Sequence, residues 1–195
     1  MAGSSISFLC AEHALGGGMI DRALTLNPNS AHAWMAKGYV SCYQNQPGAA
    51  FGAFQRAMRL SPLDPLGYLF NHGLGLAHLA TGRYEEAMEW VDRSLREQPR
   101  MTSCLRDKVV CCAQLGRIEE ARRWLGHLLE LQPGLTITVY KAYAASFLPP
   151  EITALHVEGF AQGRAARRMT ATCRLAAILA ADVASYSMYC GGQLA

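Results

Sequence analysis

Apolar and polar positions alternate along this chain at a helical period, in segments that stop at regularly placed prolines. Asn27-Pro28, Ser61-Pro62, Gln98-Pro99 and Gln132-Pro133 each follow an Arg/Glu-rich segment ending in Leu or a nearby apolar residue, and they are spaced 34, 37 and 34 residues apart. Twelve positions before each proline stands a small residue: Gly16, Ala50, Ala87 and Ala121. Five positions before it stands another small or apolar one: Ala23, Ala57, Ser94 and Leu128. Self-similarity at this period is the mark of stacked helix pairs, because one pair cannot bury its apolar faces alone and its neighbours must cover them.

The clearest unit is 31–64, with Trp34, Gly38, Ala50, Phe54, Ala57 and Pro62 in order. The next, 68–101, carries Gly75, Gly82, Tyr84, Ala87 and Pro99, and the third, 102–135, carries Gly116, Ala121 and Pro133. Three extra residues, Pro65-Leu66-Gly67, account for the longer spacing. This series resembles the tetratricopeptide repeat (TPR). The resemblance implies an all-α superhelical solenoid of about three and a half helix pairs, with a C-terminal capping pair.

Elementary sterics sharpens the expectation. Gly38 should face Ala50 and Gly75 should face Ala87, letting the two helices of a unit approach closely. Trp34, Phe54, Trp90 and Trp124 supply the large interface side chains. Gly82 and Gly116 suit turns that need positive φ. Pro47 and Pro65 suit first helical turns, and the unit-end prolines stop the second helices. Residues 1–30 form an incomplete first unit, with Met19, Ile20 and Ala23 on its second helix and a Gly16-Gly17-Gly18 run before them, and should be the least stable part. After Pro133, segments 136–147 and 151–162 should make two capping helices around Pro149-Pro150.

In TPR stacks the first helix of each pair lines the concave face. Helical spacing puts His32, Met35, Tyr39 and Tyr43 there from one unit. Leu69, His72 and Leu76 follow from the next, then Ser103, Arg106, Val110 and Gln114. That surface is apolar and aromatic, suited to a protein or peptide partner presented as a helix or an extended apolar segment. Met35 and Tyr39 stand where some family members use Lys and Asn to hold a terminal carboxylate, so that mode of recognition is not expected.

Composition narrows the remaining classes. The chain of 195 residues is 51% hydrophobic and 17% charged, with a formal charge of +3, apolar enough for a large core. The loose group Arg164, Arg167, Arg168 and Arg174 marks a linker, and no basic block interleaved with aromatics suggests a nucleic-acid partner. No basic segment precedes an apolar run at the N-terminus. The longest uninterrupted apolar run near the C-terminus, Leu175–Ala181, spans seven residues, against the roughly 18–20 a membrane helix needs. A cytoplasmic protein without a membrane partner is the expectation.

Seven cysteines lack CxxC spacing, and Cys104, Cys111 and Cys112 share one helix face, as buried apolar residues would. Six histidines contain no HxxxH or HExxH pattern. The fragment Gly73-Leu74-Gly75 lies within a repeat helix and is no phosphate loop. No cofactor is expected.

Residues 163–195 read as a linker and a separate fragment. Segment 20–160 resembles the TPR region of bacterial class III adenylate/guanylate cyclase-like proteins, through ALTLNPNSAHAWMAKGY, RLSPLDPLGYLF and GRIEEARRWLGHLLELQPGLTI. Within the fragment, RLAAILAADVASYS (174–187) resembles the first strand of the catalytic domain in that group. The resemblance puts Asp182 on the carboxylate that binds magnesium for the nucleotide triphosphate, chemistry that suits a hard cation. Ser185 replaces a glycine of the pattern, and thirteen residues follow Asp182, without the other catalytic positions. The expectation is a non-catalytic interaction module associated with a nucleotide-cyclase system, with 163–195 helical or disordered and open to self-association. Magnesium would enter only with a complete cyclase site. The alternatives are a truncated class III adenylate cyclase making cyclic AMP from ATP, and a gene remnant.

Overall fold

In the computed structural model, residues 13–145 and 148–164 are described. They form nine helices and no strand. These are α1 (His13–Leu26), α2 (Ala31–Tyr43), α3 (Pro47–Leu60), α4 (Gly67–Ala80), α5 (Tyr84–Glu97), α6 (Thr102–Gln114), α7 (Ile118–Leu131), α8 (Ile137–Ala144) and α9 (150–164). The architecture is the expected all-α TPR solenoid. Antiparallel pairs α2/α3, α4/α5 and α6/α7 stack in order, and the first helices α2, α4 and α6 lie side by side along one face.

Turn chemistry explains the regular pairing. Asn45, Gly82 and Gly116 adopt positive φ, at 55°, 72° and 72°. In each case the next amide reaches back five residues: Gln46 N–H to the Ser41 carbonyl at 2.8 Å, Arg83 to His78 at 3.0 Å, Arg117 to Cys112 at 2.8 Å. That is the Schellman closure, which satisfies the last carbonyls of a helix and reverses the chain. The two glycines are as expected. Asn45 does the same in the first full unit, since asparagine tolerates left-handed backbone better than other side chains.

Each unit-end proline stands two positions past the last residue of its helix, Leu26, Leu60, Glu97 or Leu131. Pro47 is the first residue of α3. Pro65 departs from expectation: it lies in the turn before α4, which starts at Gly67. The inserted residues therefore form a connection, fastened by Asp64, whose carboxylate accepts from Leu66 N–H at 2.9 Å. Ser30 and Thr136 cap α2 and α8 through hydroxyls accepting from amides three residues on.

The core is built on close approach. Ala50, Ala57, Ala87 and Ala121 have no exposed surface. Gly75 faces Ala87 as expected, for a β-carbon there would lie 3.3 Å from the Ala87 carbonyl oxygen and 3.0 Å from Val91 Cγ2. Gly38 is met instead by the Phe54 ring, one turn beyond Ala50: a β-carbon would fall 2.7 Å from Cζ. The same ring presses on Gly73, where a β-carbon would fall 2.1 Å from Cζ. Phe54 is thus clamped between the first helices of two successive units, and it meets the Tyr39 ring edge-on at 5.1 Å. Trp34, Trp90 and Trp124 are half-buried against the core, Trp34 also donating its indole N–H to the Pro28 carbonyl at 2.8 Å.

The amphipathic second helices α5 and α7 carry Glu85, Glu86, Glu119 and Glu120 in their first turns, where carboxylates complement the helix dipole. The first helices are covered on several sides. In α4, Leu69–Ala77 is buried without a break, and in α6 Asp107–Ala113 is. At the last unit the covering element is α9. A β-carbon on its Gly159 would stand 3.1 Å from Val110 Cα, and one on Gly163 would stand 3.1 Å from Leu125 Cδ2. Residues 165–195, which include Asp182, lie outside the described residues.

Candidate functional site

Three first helices and α9 bring four polar side chains into one buried row. Tyr39 comes from α2, His72 from α4, Asp107 from α6 and His156 from α9, and each is less than a tenth exposed. The Tyr39 hydroxyl donates to the Leu69 carbonyl at 2.8 Å and lies 2.9 Å from His72 Nδ1. His72 Nε2 lies 3.1 Å from Asp107 Oδ2. His156 Nε2 sits 2.8 Å from Asp107 Oδ1, and its Nδ1 sits 2.8 Å from the Ile152 carbonyl.

Both His156 nitrogens face oxygens, Nε2 the Asp107 carboxylate and Nδ1 the Ile152 carbonyl. Burial by itself would raise the Asp107 carboxyl, but the contacts from His156 and His72 outweigh it and hold the group well below the usual carboxylate range. Burial pushes the Tyr39 phenol well above its ordinary value. Tyr140 of α8 packs on His156 and Phe160 with ring centroids 5.5 and 5.2 Å away, and burial raises its phenol too.

The concave residues expected from helical spacing fall into two groups. Met35, Tyr39, Leu69, His72, Leu76 and Val110 are buried. The neighbouring first helix covers α2 and α4, and α9 covers α6. His32 is exposed, with its ring 3.5 Å from Asp64, and Tyr43, Arg106 and Gln114 are half-buried. Arg106 donates to Gln132 Oε1 at 3.3 Å and lies over the Tyr140 and Tyr143 rings, while Gln114 donates to Glu158 Oε2 at 3.3 Å. These four side chains form a rim above a packed floor.

Helical spacing singled out Tyr39 and His72 and missed the two residues that extend their row, Asp107 and His156. Asp107 sits one position from Arg106, within a stretch otherwise read as apolar. His156 is 49 residues farther on, a separation without any repeat signal. One clue was an acidic residue one turn from Val110 and Cys111 on a helix that burial surrounds.

The row is poorly suited to nucleophilic chemistry. A phenol whose ionisation burial opposes, under packed helices, offers no accessible nucleophile. Cys42 and Cys112 thiols are pushed up to about 12 and about 11 by burial, and Cys104 and Cys111 higher still. Among the described residues no group of three or more His, Cys, Asp or Glu is arranged to hold a metal ion. No helix among them is long and apolar enough to cross a membrane. The arrangement can strap helices together and key a helix laid across α6.

Comparison with known proteins agrees with the geometry. Residues 43–102 match the tetratricopeptide repeat family. No curated protein matches the chain. Among solved structures, MamA is similar at 14% identity, covering 83% of this chain and 92% of that one, with a TM-score of 0.54. YrrB, described as a TPR protein with an unusual peptide-binding site, is similar at 18% identity over 78% of this chain and 76% of its own, with a TM-score of 0.51. The second TPR domain of human RPAP3, solved with the HSP70 peptide SGPTIEEVD, is similar at 14% identity over 69% and 98%, with a TM-score of 0.50.

Proposed function

We infer that this tetratricopeptide-repeat solenoid is a protein-interaction scaffold, holding a protein or peptide partner on the face built by α2, α4 and α6. One observation carries the reading: the chain already lays a helix, α9, against α6 and α7 and engages α6 through a buried histidine–carboxylate contact. The surface is thus suited to a helical ligand. The peptide-binding site attributed to YrrB and the peptide held by the RPAP3 domain support the same use of the fold. His32, Tyr43, Arg106 and Gln114 offer the reachable contacts, above the floor of Met35, Tyr39, Leu69, His72, Leu76 and Val110.

The test is selection of the full chain against a displayed library of helical and extended peptides. Calorimetry then follows the selected peptides on the chain and on a His32→Glu, Tyr43→Glu double variant. At least a tenfold loss of affinity in the double variant is expected. Peptides indifferent to both substitutions, or a library that yields no binder, would overturn the assignment.

Within this reading the scaffold serves a nucleotide-cyclase system in the cytoplasm and is itself non-catalytic, needing no cofactor. That part rests on the resemblance of the repeats and of segment 174–187, where Asp182 stands in the magnesium-binding position of the pattern. Cyclic nucleotide formation from ATP or GTP by the purified chain, with Mg²⁺ or Mn²⁺, would favour the enzyme alternative and refute it.

A further inference from the structure

α9 has the character of a ligand attached to its own receptor. Ile152, His156, Gly159, Phe160 and Gly163 are buried along one stripe of the helix, at steps of four, three, one and three residues. Glu151, Ala154, Glu158 and Ala161 face solvent on the other side. Two of the five buried positions are glycines, and each lets the α9 backbone come against the stack: Gly159 onto the backbone of Val110, Gly163 onto the Leu125 side chain. Larger residues at either point would collide with α6 or α7.

The middle of the stripe is polar. His156 places its Nε2 on the Asp107 carboxylate, at the point where an ordinary covering helix would place an aliphatic side chain. A buried polar or ionic contact adds little stability compared with an apolar pair of the same size, and its best attested use is to fix register. Asp107 makes a demand on whatever covers it, because its carboxylate is buried and the nearby cations are otherwise engaged. Lys108 is paired with Asp92, and Arg106 turns to Gln132 and the Tyr140 and Tyr143 rings. His72 touches only the second oxygen, Oδ2. A covering helix without a cation opposite Oδ1 would leave the carboxylate undercompensated.

We propose that the surface of α6 and α7 beneath α9 is a helix-binding site, filled in cis by α9 and able to accept a partner helix that bears a basic side chain followed by glycine at three and seven residues beyond it. This rests on the scaffold reading and supplies its site and partner class. Charge complementarity with Asp107 sets the cation, and the two close approaches set the glycines. The short connection from α8 keeps α9 at high local concentration, so a partner must compete with it.

The test uses the full chain and a labelled peptide with the sequence of residues 150–164, followed by fluorescence anisotropy. The intact chain should bind the peptide weakly. Gly159→Leu in the chain should expel α9 and raise peptide affinity at least tenfold. A peptide bearing the same Gly159→Leu change should bind neither chain, and adding Asp107→Asn to the Gly159→Leu chain should cost at least tenfold. Hydrogen exchange on the unaltered chain keeps the test independent of any variant: amides of 150–164 should exchange as a unit ahead of those of α6 and α7. A folded Gly159→Leu chain with unchanged peptide affinity, or exchange of α9 only together with α6, would overturn the proposal. Library peptides that bind both chains equally would sink the helix site and leave the scaffold reading standing; no binder to either chain would remove both.

Discussion

Gly73→Ala offers a direct measure of how this stack is held. On an exposed helix, alanine for glycine would stabilise by about 1 kcal/mol through backbone entropy. In α4 the new methyl would lie 2.1 Å from Phe54 Cζ and 2.3 Å from Cε1, far inside contact distance. The ring has little room to retreat: Phe54 has no exposed surface, Gly38 presses its other flank, and the Tyr39 ring meets its edge at 5.1 Å. Relief requires spreading α2, α3 and α4, and overpacking of a well-filled core costs ~1–3 kcal/mol. With the clash near the severe end, the gross cost is ~3 kcal/mol and the net loss ~2 kcal/mol after the propensity gain. For a chain of this size that corresponds to a drop in thermal midpoint of roughly 4–8 °C. The assay is thermal and urea denaturation of the full chain followed by circular dichroism. Gly38→Ala, at 2.7 Å from Cζ, should cost less. Phe54→Leu supplies the control, since removing the ring should turn Gly73→Ala neutral or stabilising in that background. A Gly73→Ala chain as stable as the parent, or an equal cost in both backgrounds, would refute the clamp.

Asp107→Asn takes the carboxylate away from His156 and His72 and should cost ~3 kcal/mol, read as a lowered denaturation midpoint. Because the Asp107 carboxyl is held below its ordinary value in the folded chain, its contribution is fully present above the unfolded carboxylate value and fades as pH falls through and below that value. The stability gap between parent and Asp107→Asn should therefore hold level down to about pH 5 and narrow below it toward about pH 2, and a gap that widens over that range would contradict the pairing. Gly82→Ala and Gly116→Ala, both at φ +72°, should each destabilise by ~1 kcal/mol, whereas Asn45→Gly should be neutral or slightly stabilising by the same denaturation assay. Mass-mapped alkylation at neutral pH should leave Cys42, Cys104, Cys111 and Cys112 unmodified until the chain is unfolded; rapid native labelling at any of the four would show that burial does not suppress its thiolate.

What the sequence reveals depends on how local its cause is. A proline ends a helix by steric conflict within one turn, and a glycine closes one by its own backbone freedom, so helix ends and the turns at Gly82 and Gly116 could be placed directly. Asn45 was less legible because asparagine occupies the left-handed region only when the surrounding hydrogen bonds demand it. The partner of Gly38 was misplaced by one turn, since repeat position alone does not say how far a phenylalanine reaches. Pro65 suits either a first turn or a connector, and the Asp64 cap decides for the connector. The buried row resisted reading for a different reason. Asp107 and His156 meet through tertiary packing of α9, and no period links them. The positions expected on the concave face lie on α2, α4 and α6, but helical spacing cannot tell which of them a neighbouring helix will cover.

The row from Tyr39 to His156 also bears on how the chain comes apart. In a simple repeat array each unit melts with a free energy set by itself and its immediate neighbours, and ends fray independently. Here one carboxylate is shared between a histidine of the second full unit and a histidine of α9, and the first of these also contacts a tyrosine of the unit before. Detaching α9 removes the His156 contact from Asp107 and leaves His72 beside that buried carboxylate without it, which alters the joint with α2. Loss of order at one end of the stack is thereby felt three units away, and the array should melt more cooperatively than repeats joined by apolar surfaces alone.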